Sequence, residues 1–105
     1  MIFIEAPPFE RVRQNYLDDD EYRLLQATLM ANPAAGVLIR GSGGIRKIRW
    51  AAAGTGKRGG IRVIYYWVTK HDHILLLTVY RKSEVSDLTP IQIGALRALV
   101  DNLEG

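Results

Sequence analysis

IRVIYYWVTKHDHILLLTVY, residues 61–80, is the stretch that decides the fold. Ile61–Thr69 is rich in β-branched and aromatic side chains, the types that pack best on a pleated surface. Ile74–Tyr80 is a second apolar run of strand length, and the polar Lys70–His73 between them has the length of a hairpin connection. The two runs therefore read as adjacent antiparallel strands. Upstream, Ile45–Trp50 (IRKIRW) alternates as a strand does, with Ile45, Lys47 and Arg49 on one face and Arg46, Ile48 and Trp50 on the other. Gly54–Gly60 (GTGKRGG) joins it to residue 61 and is longer than a tight hairpin turn.

Helical spacing takes over on both sides of this three-stranded block. Met1–Glu5 reads as a short strand closed by Pro7-Pro8. Phe9, Val12 and Tyr16 then predict a helix to about Leu17. Asp18-Asp19-Asp20 supplies capping side chains and favourable negative charge for a second helix. Its apolar face is Tyr22, Leu25, Leu29 and Met30, and it ends near Asn32-Pro33, because the residue before proline resists helical geometry. After the strands, Thr89-Pro90 reads as an N-cap followed by proline at the first helical position. The helix it opens runs through Leu103 on an apolar face of Ile93, Leu96, Leu99, Val100 and Leu103. The order β-α-α-β-β-β-α predicts an α+β fold: a small antiparallel sheet with two N-terminal helices and one C-terminal helix. At 105 residues the chain suits one domain, spanning 1–105.

Composition narrows the function classes. Hydrophobic residues make up 48% and charged residues 24%, which excludes an unfolded tail. No apolar run approaches the ~20 residues that cross a bilayer, and MIFIE is too short for the apolar core of a signal peptide. The absence of cysteine excludes disulfides and thiolate chemistry. A cytoplasmic protein with no membrane partner is expected.

The net charge of +3 conceals a sharp division. Residues 1–39 carry three arginines against six acids, and residues 83–105 carry Arg97 against four acids. Between them, residues 40–82 hold ten basic side chains against Asp72 alone. A basic centre between acidic ends is the pattern of a surface built to meet phosphates. Trp50, Tyr65, Tyr66, Trp67 and Tyr80 lie among these charges; aromatics beside arginine stack on unpaired bases, although strand alternation sends about half of such residues inward.

Two other motifs fail on context. Gly54–Gly59 matches GxGxxG, but a strand follows where a dinucleotide site needs a helix, and Val79 and Tyr80 stand where its acidic residue should be, roughly 20 residues on. It is not a P-loop either, since Ala51 replaces the first glycine and Arg58 follows Lys57. His71, Asp72 and His73 sit together in one turn, whereas zinc sites draw ligands from several segments. No metal or cofactor is expected. The cations carry the chemistry: Lys47 and Arg49 share a strand face, Arg62 opens the next strand, and Arg81 and Lys82 leave the last strand at the same sheet edge.

The stretches NPAAGVLIRGSGGIRKIRW (32–50), GKRGGIRVIYYWV (56–68) and ILLLTVYRKSEVSDLT (74–89) resemble the RelE/HigB-type toxins of bacterial toxin–antitoxin systems, within the RelE/ParE superfamily and closest to its HigB-like branch. The resemblance implies ribosome-dependent cleavage of mRNA in the A site. It also implies a cognate antitoxin, often with a helix-turn-helix DNA-binding domain. The family's basic strand pair matches Lys47 and Arg49, its strand arginine matches Arg62 in GIRVIY, and its basic residue after the last strand matches Lys82, with Arg81 beside it. The tyrosine that follows in the RelE branch has no counterpart in SEVSDL, where Leu88 is nearest.

On this reading Lys47, Arg49, Arg62 and Lys82 are catalytic. Arg49 and Arg62 stabilise charge at phosphorus, and Lys47 or Lys82 moves protons. Arg46, Lys57, Arg58 and Arg81 are expected to grip RNA. Two alternatives stay open: a gyrase inhibitor like the ParE relatives, which share the fold but lack the full basic set, and an RNA-binding module that does not cut.

Overall fold

The computed structural model describes residues 1–51 and 60–104. The element order is β1 (Ile2–Glu5), α1 (Pro7–Tyr16), α2 (Asp19–Ala31), β2 (Val37–Leu38), β3 (Arg46–Trp50), β4 (Ile61–Val68), β5 (His73–Arg81) and α3 (Pro90–Glu104). The expected α+β class holds, with two differences. A two-residue strand, β2, pairs antiparallel with β3. The sheet is also mixed, not antiparallel: its order is β1-β5-β4-β3-β2, and β1 runs parallel to β5. Between β1 and β5 the chain makes both N-terminal helices and the whole β2–β4 meander, so no hairpin constrains β1 to run antiparallel.

Local chemistry accounts for the helix boundaries. Pro7 and Pro8 open α1 instead of preceding it, since the first turn has no intrahelical use for their missing N–H groups. Asp18 caps α2 in a reciprocal pair with Glu21: the Asp18 carboxylate accepts from the Glu21 N–H at 2.8 Å, and the Glu21 carboxylate accepts from the Asp18 N–H at 3.2 Å. Thr89 and Gln92 repeat the device ahead of α3, at 3.1 and 2.8 Å.

The sheet separates two apolar layers. On one side Phe9, Leu17, Tyr22, Leu25 and Leu29 from α1, α2 and their junction pack on Ile48, Ile61, Val63, Tyr65, Ile74 and Leu76. On the other, Leu96 and Val100 of α3 pack on Ile45, Ile64, Leu75, Leu77 and Tyr80. Met30, expected on the buried face of α2, is 56% exposed. The Tyr22 hydroxyl donates to Glu5, tying α2 to β1, and burial together with this bond pushes its pKa up.

Tyr65 is fully buried and fastens the sheet to the segment ahead of β2. Its hydroxyl donates to the Pro33 carbonyl at 2.7 Å and accepts from the Gly36 N–H at 2.8 Å. Glycine is required at 36, because a Cβ there would lie 2.9 Å from the Tyr65 ring and hydroxyl and 3.0 Å from the Lys47 carbonyl.

Candidate nucleic-acid site

Directly opposed residues of an antiparallel ladder share a face. Arg49 stands opposite Arg62 in the β3–β4 ladder, and Arg62 stands opposite Tyr80 in the β4–β5 ladder. These three residues form a row across three strands on the α3 side, where Tyr80 joins the apolar layer. Lys47, opposite Ile64, lies on the same face one alternation from Arg49. Arg62 is only 6% exposed and donates Nη1 to the Ile61 carbonyl at 3.3 Å, whereas Arg49 is exposed. The row thus has an open cation at one end, a sunken one at its centre and a phenol at the other. Burial raises the Tyr80 pKa; the Arg62 guanidinium partly offsets this and the Asp87 carboxylate adds to it.

The other expected site residues divide by face. The Lys82 N–H donates to the Gly60 carbonyl at 3.3 Å, extending the β4–β5 edge one residue beyond Arg81. Lys82 itself belongs to the turn that follows β5. Arg81 stands opposite Ile61 on the other face, its guanidinium 4.8 Å from the centre of the Tyr16 ring. There Glu84 accepts from the Arg81 N–H at 2.9 Å and from the Tyr16 hydroxyl at 2.7 Å. These bonds hold the Glu84 pKa down, the backbone one foremost, while the bond to Glu84 and then burial raise that of Tyr16.

Arg46 also faces away from the row. It lies opposite Tyr65 and donates to the carbonyls of Gly36 at 2.8 Å and Ala34 at 3.4 Å. The structure therefore brings Lys47, Arg49 and Arg62 to one side of the sheet, leaves Lys82 in the turn after β5, and puts Arg46 and Arg81 on the opposite side, each held by neighbours there. Lys57 and Arg58, and the GxGxxG match with them, lie outside the described residues. The aromatics serve packing: Tyr65 and Tyr80 are buried, Tyr66 lies under the Arg97 guanidinium at 5.4 Å, and Trp50 and Trp67 pack against the core.

Sequence reasoning passed over Arg40 and Asp87. With Lys47 they line a cavity of about 230 Å³, whose remaining walls are Ile39, Leu88 and Ile93. The only signal in the sequence was the aspartate in SEVSDL, and nothing periodic shows where a connection of that kind lies. Among the described residues no cluster of His, Asp or Glu is placed to hold a metal ion, and no helix is long and apolar enough to cross a membrane.

This arrangement of three helices on a five-stranded mixed sheet is a RelE-like fold. A solved structure of the E. coli toxin RelE, a mutant lacking two arginines and in the free state, matches it with a TM-score of 0.59 and 11% identity, over 92% of this chain and 93% of that one. At that identity the likeness is one of fold. No protein-family model matches the sequence.

Proposed function

We propose that this chain is the toxin of a toxin–antitoxin pair, of the HigB-like kind, acting as an mRNA endonuclease in the ribosomal A site without a metal ion. The observation that carries the reading is the row of Arg49 and Arg62 in direct register, with Lys47 beside it on the same face. Opposing like charges across a ladder costs the free protein stability, and an arriving phosphate chain repays it.

In the reaction the substrate's 2′-oxygen attacks the adjacent phosphorus while the bond from phosphorus to the 5′-oxygen breaks. The products are a 2′,3′-cyclic phosphate and a 5′-hydroxyl. Lys47 and Lys82 supply the acceptor for the 2′-hydroxyl proton and the donor for the departing 5′-oxygen. Arg49 and Arg62 neutralise the extra charge on the phosphoryl oxygens, the sunken Arg62 with the least competition from water. The partners on this reading are mRNA, the ribosome and a cognate antitoxin that covers the basic face.

The test is cleavage of mRNA on translating ribosomes in EDTA, with wild type and Arg62→Ala. Wild type is expected to leave 2′,3′-cyclic phosphate ends, and Arg62→Ala to cut about 10²–10³-fold more slowly. Equal rates would remove Arg62 from the mechanism. Gyrase poisoning in a plasmid supercoiling assay with intact mRNA would select the ParE-like alternative, and tight RNA binding without product the binding module.

A further inference from the structure

An exposed aspartate beside a phosphate-binding face weakens it, so the place of Asp87 calls for a physical account. Asp87 shares its cavity with Lys47 and Arg40, and its charge reaches Tyr80 at the end of the arginine row. The ion pairs seen among the described residues join Met1 to Asp72, Arg13 to Asp19, Arg23 to Asp20, Arg81 to Glu84 and Arg97 to Asp101, and none includes Asp87. It is therefore not spent on neutralising Lys47 or Arg40.

The cavity has the form of a base-recognition site. Its volume of about 230 Å³ falls below the ~300–1,000 Å³ of sites for drug-sized ligands and suits a single planar heterocycle. Ile39, Leu88 and Ile93 are apolar walls for the faces of a ring, the carboxylate is a polar contact for its edge, and Arg40 is a cation for the attached phosphate, with Lys47 at the side toward the scissile bond. Lys47 lies two residues along β3 from Arg49, about 7 Å at strand rise. That is comparable to one step from phosphate to phosphate in an extended strand, so the ring belongs to the nucleotide next to the one whose phosphate meets Arg49 and Arg62.

We propose that the cavity bounded by Ile39, Arg40, Lys47, Asp87, Leu88 and Ile93 is a nucleobase subsite for guanine, read by the Asp87 carboxylate. A carboxylate only accepts hydrogen bonds, and it accepts two side by side. Guanine presents two adjacent donors on its Watson–Crick edge, the N1–H and the 2-amino group. Adenine and cytosine each set one donor beside an acceptor, and uracil flanks its single donor with acceptors, so each leaves one carboxylate oxygen opposed or unused. This deepens the proposed function and rests on it for the identity of the ligand as RNA.

Two measurements test the subsite. In the first, cleavage ends are sequenced from ribosome digests by wild type and Asp87→Asn, and base frequencies are compared within each digest so that overall rate cancels. Wild type is expected to favour guanine at one fixed position flanking the cut by about tenfold or more, and Asp87→Asn to lose that preference. A guanine preference unchanged in Asp87→Asn, or no preference in wild type, would overturn the subsite while leaving the endonuclease reading intact.

If wild type does not cut RNA at all, that reading fails, and the second measurement decides the subsite alone. Guanosine monophosphate is titrated into the free protein by NMR, with adenosine monophosphate as control. The subsite requires shifts at Lys47, Leu88 and Ile93 that are larger for the guanosine nucleotide and absent in Asp87→Asn. Equal responses to the two nucleotides would overturn it.

Discussion

Replacing Arg49 by glutamine should stabilise the free protein while removing most of its activity. Arg49 and Arg62 are in direct cross-strand register, Arg49 exposed and Arg62 buried. Directly opposed residues have Cβ atoms about 4.5–5.5 Å apart, and with the exposed Arg49 side chain swung outward its charge stands about 7 Å from that of Arg62, the span of a diagonal pair. Two unit charges at that distance repel by ~0.6 kcal/mol in water and by ~2.4 kcal/mol at an effective dielectric of about 20. Because Arg49 is exposed, the aqueous end of this range applies, and a gain of about 0.5–1 kcal/mol is expected. For a domain of this size that raises Tm by about 2–6 °C.

The assay is thermal unfolding at about 0.01 M salt, where the screening length is ~30 Å, and at about 1 M, where it is ~3 Å. The stabilisation should be present at low salt and vanish at high salt. Single-turnover cleavage by the same variant should fall by about 10²-fold or more. A variant that melts below wild type at both salt concentrations would refute the account of the row as a charge strain kept for a ligand.

Tyr65→Phe orphans the Gly36 N–H and the Pro33 carbonyl, and it should cost about 2–3 kcal/mol in urea unfolding, with no loss if the two bonds are immaterial. Arg46→Ala removes two bonds to backbone carbonyls on the face away from the row. It should lower stability by about 1 kcal/mol while leaving the single-turnover cleavage rate near wild type; a rate loss like that of Arg62→Ala would return Arg46 to the RNA site.

The pKa values of Tyr16, Tyr22, Tyr65 and Tyr80 are all raised above 10.0 in the fold. Above pH 10 the unfolded chain therefore loses phenolic protons that the folded chain keeps, and stability should be full below that pH and fall as pH rises through the folded values. Denaturant titrations from pH 9 to 12 with phenolate absorbance check this, and a midpoint that does not fall would contradict it. Removing charge at Lys57 or Arg58 should flatten the salt dependence of RNA binding by about one unit per charge and spare the saturated cleavage rate.

The sequence by itself determined the longer elements and the faces of β3 and β4, because both are encoded within a few residues, whereas the two-residue β2 carried no such pattern. IRKIRW separates Lys47 and Arg49 from Arg46 by simple alternation, and the structure keeps that division. Asp18 and Thr89 mark helix starts through hydrogen bonds that span only three residues. Arg81 was expected to grip RNA beside Lys82, and its place on the other face, against Tyr16 and Glu84, emerged only with the fold.

Only the tertiary structure decided how distant pieces meet. β1 joins β5 in parallel, with roughly the whole meander between them, because α1 and α2 must cover one sheet face and carry the chain across it. Met30 is exposed because it lies about 100° round α2 from Leu29, off the stripe of Tyr22, Leu25 and Leu29 that meets the sheet. Asp87 arrives beside Lys47 and Arg40 through a connection with no periodic pattern, whose course is set by where α3 packs on Ile64, Leu75 and Leu77. Backbone propensities and caps act over a single turn or strand, whereas the burial that selects among arrangements is shared by residues far apart in the chain, so no local stretch records it.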